Sequence, residues 1–153
     1  IPRHVHRTEE ITNQIKKMNL KIHLHSSKNK IDRNTDVYIV NSFGQTKSFF
    51  KVCKTIFLGG SIIKHGGQNP LEPVRHGCKI LHGPNVWNFD EIYTLLKKYN
   101  ITSKVNNSKQ LFFKVNEMLN KKNKPKNLEH KFKNLGNKIL NSTLKEMNLY
   151  IVK

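Results

Sequence analysis

Acidic side chains are scarce in this chain: 10 Asp and Glu stand against 28 Lys and Arg, a formal charge of +18 over 153 residues. Arginine is scarcer still. Only Arg3, Arg7, Arg33 and Arg75 occur, and the other basic residues are lysines, many interleaved with Asn and spread through every segment. Clustered Lys and Arg would release counterions from nucleic-acid phosphates. A scattered lysine excess reads instead as compositional, the solvated surface that AT-rich coding produces, so no specific nucleic-acid partner is expected. Attraction to an anionic membrane surface remains open, because it needs only positive charge near the bilayer. The two cysteines, Cys53 and Cys78, lack metal-ligand spacing; they read as small buried residues of a reduced protein rather than a disulfide or zinc framework. No apolar run approaches the roughly 18 residues of a membrane span, and no signal-peptide pattern opens the residues given. A motif begins at once from Ile1, so the chain is expected to be a domain excised from something longer and soluble as a fragment.

What is present is enough apolar content, 36%, to bury a single-domain core. The chain is organised around Phe57 to Glu72, which reads as strand, glycine loop and helix start. Thr55 to Leu58 is a β-branched and apolar run ending at Gly59-Gly60, where the backbone can turn sharply. Gly66-Gly67 repeats the device. Asn69 as N-cap, Pro70 at the first helical position and Glu72 three residues after the cap predict a helix starting at Asn69 with a capping box. Its N–H groups and positive end would face the glycine loop and suit an anion; equally, Glu72 would only cap its own helix.

Elsewhere the periodicity predicts a helix over Glu9 to Met18, strands at Leu20 to His25, Asp36 to Val40, Lys79 to Leu81 and Ile101 to Val105, and a helix through Phe49, Phe50 and Cys53. Gly77 is placed as a left-handed helix cap. Phe89, Ile92, Tyr93, Leu96 and Tyr99 form one helical stripe. Leu111, Phe112, Val115, Met118 and Leu119 form another, capped by Ser108. Lys121 to Lys126 reads as a basic linker, and a last helix is predicted from about Leu128 to Leu149 on the stripe Phe132, Leu135, Ile139 and Met147. The strand-loop-helix repetition predicts an α/β fold, a Rossmann-like parallel sheet flanked by helices. Phe49, Phe50 and Trp87 are assigned to the core. His4, His6, His23 and His25 read as surface histidines, because no acidic or cysteine partner accompanies them.

Taken in order, Ile1-Pro2-Arg3-His4 with Arg7-Thr8-Glu9-Glu10, Phe43-Gly44-Gln45, Gly59-Gly60-Ser61, His65-Gly66-Gly67-Gln68-Asn69-Pro70-Leu71-Glu72-Pro73, and Gly83-Pro84 with Asn88-Phe89 resemble the carboxy-terminal domain of 3-deoxy-D-manno-octulosonic acid (Kdo) transferases. The motifs keep that family's order and spacing from the first residue to about Ile92, and more loosely through the terminal helices. The resemblance implies one half of a GT-B glycosyltransferase, with residues 1–120 as the Rossmann-like donor-binding domain and 121–153 as a basic linker and terminal helix packed on it. It implies CMP-Kdo as donor, a lipid A precursor (lipid IVA) as acceptor in lipopolysaccharide biosynthesis, and a membrane-associated enzyme at the cytoplasmic face of the bacterial inner membrane. Neither metal nor other cofactor is implied.

By the same resemblance the donor contacts fall on Pro2 and Arg3, on Phe43, Gly44 and Gln45, on Gly60 and Ser61, and on Asn69, Pro70, Leu71 and Glu72. The general base is expected in an amino-terminal domain outside this chain, which also brings the acceptor. Phe43 and Gln45 depart from the family's Met and Glu, and Asn41-Ser42 stands where Asp-Thr is common, so the contacts of that triplet are in question. The chemistry suits these residue types. A CMP-activated sugar acid carries a phosphodiester and a carboxylate; Arg3 offers a bidentate fork to either. Backbone N–H groups of Gly59, Gly60 and Ser61 suit the phosphate, Lys64 or His65 the departing CMP, and Glu72, accepting only, the ribose hydroxyls.

Two other classes stay open: another GT-B enzyme, either a nucleotide-sugar epimerase or a different glycosyltransferase, and a noncatalytic basic domain binding nucleic acid or acidic lipid. Salt separates the last of these. If the lysines are compositional, duplex binding is expected to be independent of sequence and to vanish near physiological salt; a filter-binding titration that finds tight, sequence-selective binding there would overturn the enzyme classes.

Overall fold

The computed structural model describes residues 1–120 and, beyond them, Asn134, Asn141, Leu144 and Lys145. The linker Lys121 to Lys126, and the predicted last helix apart from those four positions, lie outside the described residues. The chain divides into two compact units, Ile1–Phe49 and Phe50–Lys153. In the first, a short 3-10 turn leads into α1 (Thr8–Lys16), β1 (Ile22–Leu24) and β2 (Val37–Ile39). Thr8 and Thr12 donate their hydroxyls to the Val5 and Thr8 carbonyls at 2.6 and 2.7 Å. The helix stops two residues before the predicted Met18 because Asn19 turns left-handed, φ 57°, a conformation Asn tolerates. β1 and β2 run parallel with Ile22 opposite Val37 and Leu24 opposite Ile39.

The second unit follows α2 (Thr46–Val52), within which the division between units falls. It holds β3 (Thr55–Leu58), α3 (Leu71–Arg75), β4 (Lys79–His82), α4 (Asp90–Lys98), β5 (Thr102–Lys104) and α5 (Ser108–Asn120). Its sheet has the order β3-β4-β5, all parallel. The fold class is therefore the α/β architecture of parallel strands and helices that the sequence predicts, with the strands in two sheets. β4 is central, and Ile80 and Leu81 are wholly buried, together with Val74, Cys78 and Leu96; Ile101 and Tyr93 complete the core. The α4 stripe packs as predicted through Phe89, Ile92, Tyr93 and Leu96, whereas Tyr99, at the helix end, is exposed.

Three local expectations change. Trp87 is 56% exposed rather than core, lying in a short 3-10 turn ahead of α4. The cap of α5 is Asn107, not Ser108: its Oδ1 accepts the Gln110 N–H at 2.9 Å while Gln110 Oε1 accepts the Asn106 N–H at 2.8 Å, a reciprocal cap one residue earlier than predicted. On α5 itself Phe112 and Leu119 of the predicted stripe are exposed. Gly77, by contrast, is the left-handed cap expected, φ 77°, and lets the Cys78 N–H reach the Pro73 carbonyl at 3.1 Å.

Because Thr55 pairs with Lys79 and Leu58 with His82, β3 and β4 end level and their following loops run side by side. Contact there is close. A Cβ on Gly83 would stand 2.1 Å from the Ser61 carbonyl oxygen, whereas one on Gly59 would meet nothing within 4 Å. Gly83→Ala is therefore expected to cost about 3 kcal/mol, since backbone rather than a movable side chain opposes it. Gly59→Ala should stay within about 0.5 kcal/mol. Urea denaturation midpoints of the two variants provide the check.

Candidate functional site

Past the end of β3 the chain is held by one hydroxyl. Ser61 is completely buried; its Oγ–H donates to the Leu58 carbonyl at 2.6 Å and its oxygen accepts the Gly83 N–H at 2.8 Å. The next contacts extend the seam: Asn85 N–H donates to the Ser61 carbonyl at 2.8 Å, and Asn85 Nδ2 to the Ile62 carbonyl at 2.8 Å. Ser61 thus shapes the loop, and its hydroxyl has no capacity turned to a ligand along the bonds it makes. The glycine loop closes on itself through Gly67 N–H to the Gly60 carbonyl at 3.0 Å. Gly60, Gly66 and Gly67 all have positive φ. At Gly66 a Cβ would lie 2.2 Å from Asn88 Nδ2, so glycine is required there for conformation and for space.

The following segment departs from its predicted helix start. α3 begins at Leu71 rather than Asn69, and Pro70 holds the cap position with no side-chain cap bond. Asn69 Oδ1 does accept the Leu71 N–H at 2.9 Å, the N-cap bond predicted for Asn69, with Pro70 already in helical dihedrals. The capping box is absent, because the Glu72 carboxylate does not return to the Asn69 N–H; among the described residues it is exposed and without a hydrogen-bond partner. The dipole argument weakens as well. α3 is a five-residue helix, and a macrodipole needs more aligned peptide units than one turn supplies. Pro70 and Pro73 are buried, which anchors the turn and leaves Asn69 and Glu72 at the surface. Lys64 and His65 are exposed beside the loop.

Two residues not among the predicted site residues, Tyr93 of the helical stripe and His82 just past the predicted end of its strand, hold this segment in place. Tyr93, buried on α4, donates its hydroxyl to the Gln68 carbonyl at 3.0 Å; burial raises its pKa, so it stays a donor at any working pH. His82 closes β4 and stacks against Tyr93 with ring centroids 4.3 Å apart. Its Nδ1–H donates to the Gly83 carbonyl at 2.7 Å. Burial pulls the imidazole below its ordinary 6.5, the Gly83 bond opposes this, and the Lys104 and Lys97 charges reinforce it. The signal for both lay in their places, one turn into α4 and directly before Gly83. Behind the core, burial pushes the Cys78 thiol up to about 11, and it donates to the Phe50 and Cys53 carbonyls at 3.2 and 3.1 Å. It is an inert packing thiol.

The remaining candidates belong to the first unit. Arg3 is exposed and its guanidinium has no partner among the described residues, while Pro2 beside it is half-buried. Phe43 is 78% exposed, and Gly44 takes φ 80°. Gln45 is half-buried and its carbonyl accepts the Ser48 N–H at 3.0 Å. The substituted Asn41 pairs reciprocally with Ser26, Nδ2 to Oγ at 2.7 Å and the Ser26 N–H to Oδ1 at 3.0 Å. That joins the loops after β1 and β2, so Asn41 supplies a structural bond at this position. Gly60, Ser61 and Asn69 to Glu72 are thus brought together within the second unit, and Pro2, Arg3 and Phe43 to Gln45 are carried by the first. His25 Nδ1 meets the Tyr38 hydroxyl at 2.7 Å, which makes it a partly packed rather than a plain surface histidine. Among the described residues no group of three His, Cys, Asp or Glu side chains is placed to hold a metal, and no helix is long and apolar enough to cross a membrane.

No protein-family model matches the chain. Single relatives do. The chain is 31% identical over 108 residues to a 3-deoxy-D-manno-octulosonic acid transferase of Haemophilus influenzae, covering 71% of this chain and 25% of that protein. It is 33% identical over 123 residues to the transferase of the same name in Rickettsia prowazekii, covering 80% and 26%. Against the one from Rickettsia typhi the match is 29% over 153 residues, all of this chain and 33% of that protein. The chain therefore spans between a quarter and a third of these relatives' length. In structure it is similar to the C-terminal CMP-Kdo binding domain of WaaA from Acinetobacter baumannii, with a TM-score of 0.75 and 26% identity, covering 86% of this chain and 67% of that one. The chain belongs with the carboxy-terminal domains of the Kdo transferases. In this Kdo transferase domain the glycine loop and the Asn-Pro-Leu-Glu segment sit at the carboxy ends of parallel strands, where open α/β sheets bind their ligands.

The seam at His82 predicts a pH response. Its folded pKa lies below 6.5, so as pH falls below 6.5 the unfolded chain takes up the proton first. Stability is then greatest above 6.5 and declines as pH drops toward the lowered folded value. Between pH 7.5 and 5.5 the wild type should lose more stability than His82→Gln, measured as the difference between their urea midpoints, a comparison in which the other histidines cancel.

Proposed function

We propose that this chain is the donor-binding half of a GT-B Kdo transferase that moves Kdo from CMP-Kdo to a lipid A precursor such as lipid IVA in lipopolysaccharide synthesis. The single observation that carries the proposal is the likeness in fold to a CMP-Kdo binding domain, in keeping with the 31–33% identity to relatives named as Kdo transferases. The local geometry supports it. Glu72 makes no cap, so its carboxylate is uncommitted and can accept from paired ribose hydroxyls. Arg3 carries a planar fork with no internal partner, suited to a phosphodiester or a sugar carboxylate. Asn69 and Leu71 frame the same turn, and the loop at Gly60 brings backbone close to the phosphate.

In the proposed reaction an acceptor hydroxyl attacks the anomeric carbon of Kdo as the bond from that carbon to the CMP phosphate oxygen breaks. The hydroxyl proton passes to a carboxylate of the facing amino-terminal domain, and CMP leaves with the bonding electron pair. Lys64 or His65, exposed beside the Gly60 loop, offsets the charge that develops on the phosphate. The lysine-rich surface supports association with the anionic cytoplasmic face of the inner membrane, where such an acceptor resides.

Calorimetry with CMP tests the donor assignment. The chain should bind CMP in preference to UMP, and Glu72→Gln should weaken CMP by about 1.5–3 kcal/mol, roughly 10- to 150-fold, as expected for a lost bond to a charged acceptor. The melting temperature should hold, since no cap is removed. Unchanged CMP affinity in Glu72→Gln would remove that residue from the site, and a preference for UMP would favour a different GT-B enzyme.

A further inference from the structure

A cavity lies in the Phe50–Lys153 unit, apart from the Gly60 loop. It is a cleft of about 760 Å³ between α4 and α5, floored by the carboxy end of β5, with His82, Tyr93, Lys97, Thr102, Lys104 and Phe113 among its lining residues. That volume is within the usual 300–1,000 Å³ of small-molecule sites. Three features give it chemistry. Thr102 is 6% exposed, and its hydroxyl is buried with no hydrogen-bond partner, a cost a folded chain seldom leaves standing without a reason. His82 spends Nδ1–H on the Gly83 carbonyl, which in the neutral ring leaves Nε2 as an acceptor.

The third feature is charge. Lys97 on α4 and Lys104 at the end of β5 both line the cleft, so two ammonium-bearing side chains border it. The carboxylates on the lining are Asp90 and Glu117, and Glu117 binds Lys114 at 2.7 Å. Phe113, 60% exposed, and Tyr93 supply apolar walls against which a sugar ring can stack.

We propose that this cleft is a binding site for a sugar phosphate, its phosphate on Lys97 and Lys104 and its hydroxyls between His82 and Thr102. The site is separate from the donor site of the preceding section, although they share a wall: Tyr93 lines the cleft and also holds the Gln68 carbonyl.

The test is an NMR titration of the ¹⁵N-labelled chain at 150 mM salt with glucose 6-phosphate, inorganic phosphate and glucose as separate probes. Glucose 6-phosphate should shift the amides of residues 102–105 and of α4 in a saturable manner, phosphate should do so more weakly, and glucose should not. Lys104→Gln, at an exposed position that leaves the core intact, should weaken glucose 6-phosphate about tenfold or more, the loss expected for one charge-assisted contact. Its CMP affinity should not change, which keeps this outcome distinct from that of the donor site. Shifts scattered over surface lysines, or equal affinity in Lys104→Gln, would overturn the proposal, as would no saturable response at 102–105.

Discussion

Ser61 holds the second unit's functional face together. One buried hydroxyl joins the last carbonyl of β3 to the first N–H after β4, so two loops that would otherwise end independently become a single surface. A buried N–H without a partner costs roughly 1–3 kcal/mol, and the hydroxyl removes that cost at Gly83. The demand for glycine at 83 follows from the same contact, since the two backbones approach too closely for a side chain. Asn85, Gly66, Gly67 and Tyr93 then extend the seam to Gln68. The Asn-Pro-Leu-Glu turn thereby inherits the rigidity of the central strand.

The first unit uses the same device with a different side chain. Asn41 and Ser26 exchange two bonds between the loops following β1 and β2, again at the carboxy ends of paired parallel strands. The neutral amide of Asn41 both donates and accepts in this exchange. Next to it Gln45 is likewise neutral. Among the described residues most lysines are exposed, and the ion pairs described are solvent-facing, each worth at most about 1 kcal/mol. The positive charge therefore contributes little to the fold through ion pairs.

Much of this was legible in the chain. β3 runs from Thr55 to Leu58 as its β-branched run implied, Gly77 caps α3 in the left-handed conformation, and Tyr93 with Leu96 lies on the buried side of α4. These are local matters, settled by side-chain period and by backbone steric freedom. The parallel order of the strands was legible too, from the alternation of strand and helix. The motifs around Gly60, Gly66 and Gly83 pointed to the family for the same reason: glycines needed for conformation or close approach leave an imprint on sequence.

Other features were set by partners distant in the chain. Ser61 was read through its backbone N–H alone, and the role of its hydroxyl was set by Gly83, 22 residues later, whose N–H it accepts. Glu72 had the spacing of a capping box, but buried Pro70 and Pro73 fix the turn so that the helix begins two residues late and the carboxylate stays at the surface. Trp87, the only tryptophan, had the composition of a core residue and is left exposed because Val86 and Phe89 fill the interior on either side. The sequence by itself determined the elements and the family, since both depend on short-range spacing. Which polar groups are spent inside and which remain for a ligand was decided only by the tertiary structure, because each buried donor or acceptor is satisfied by whatever the fold brings within about 3 Å of it.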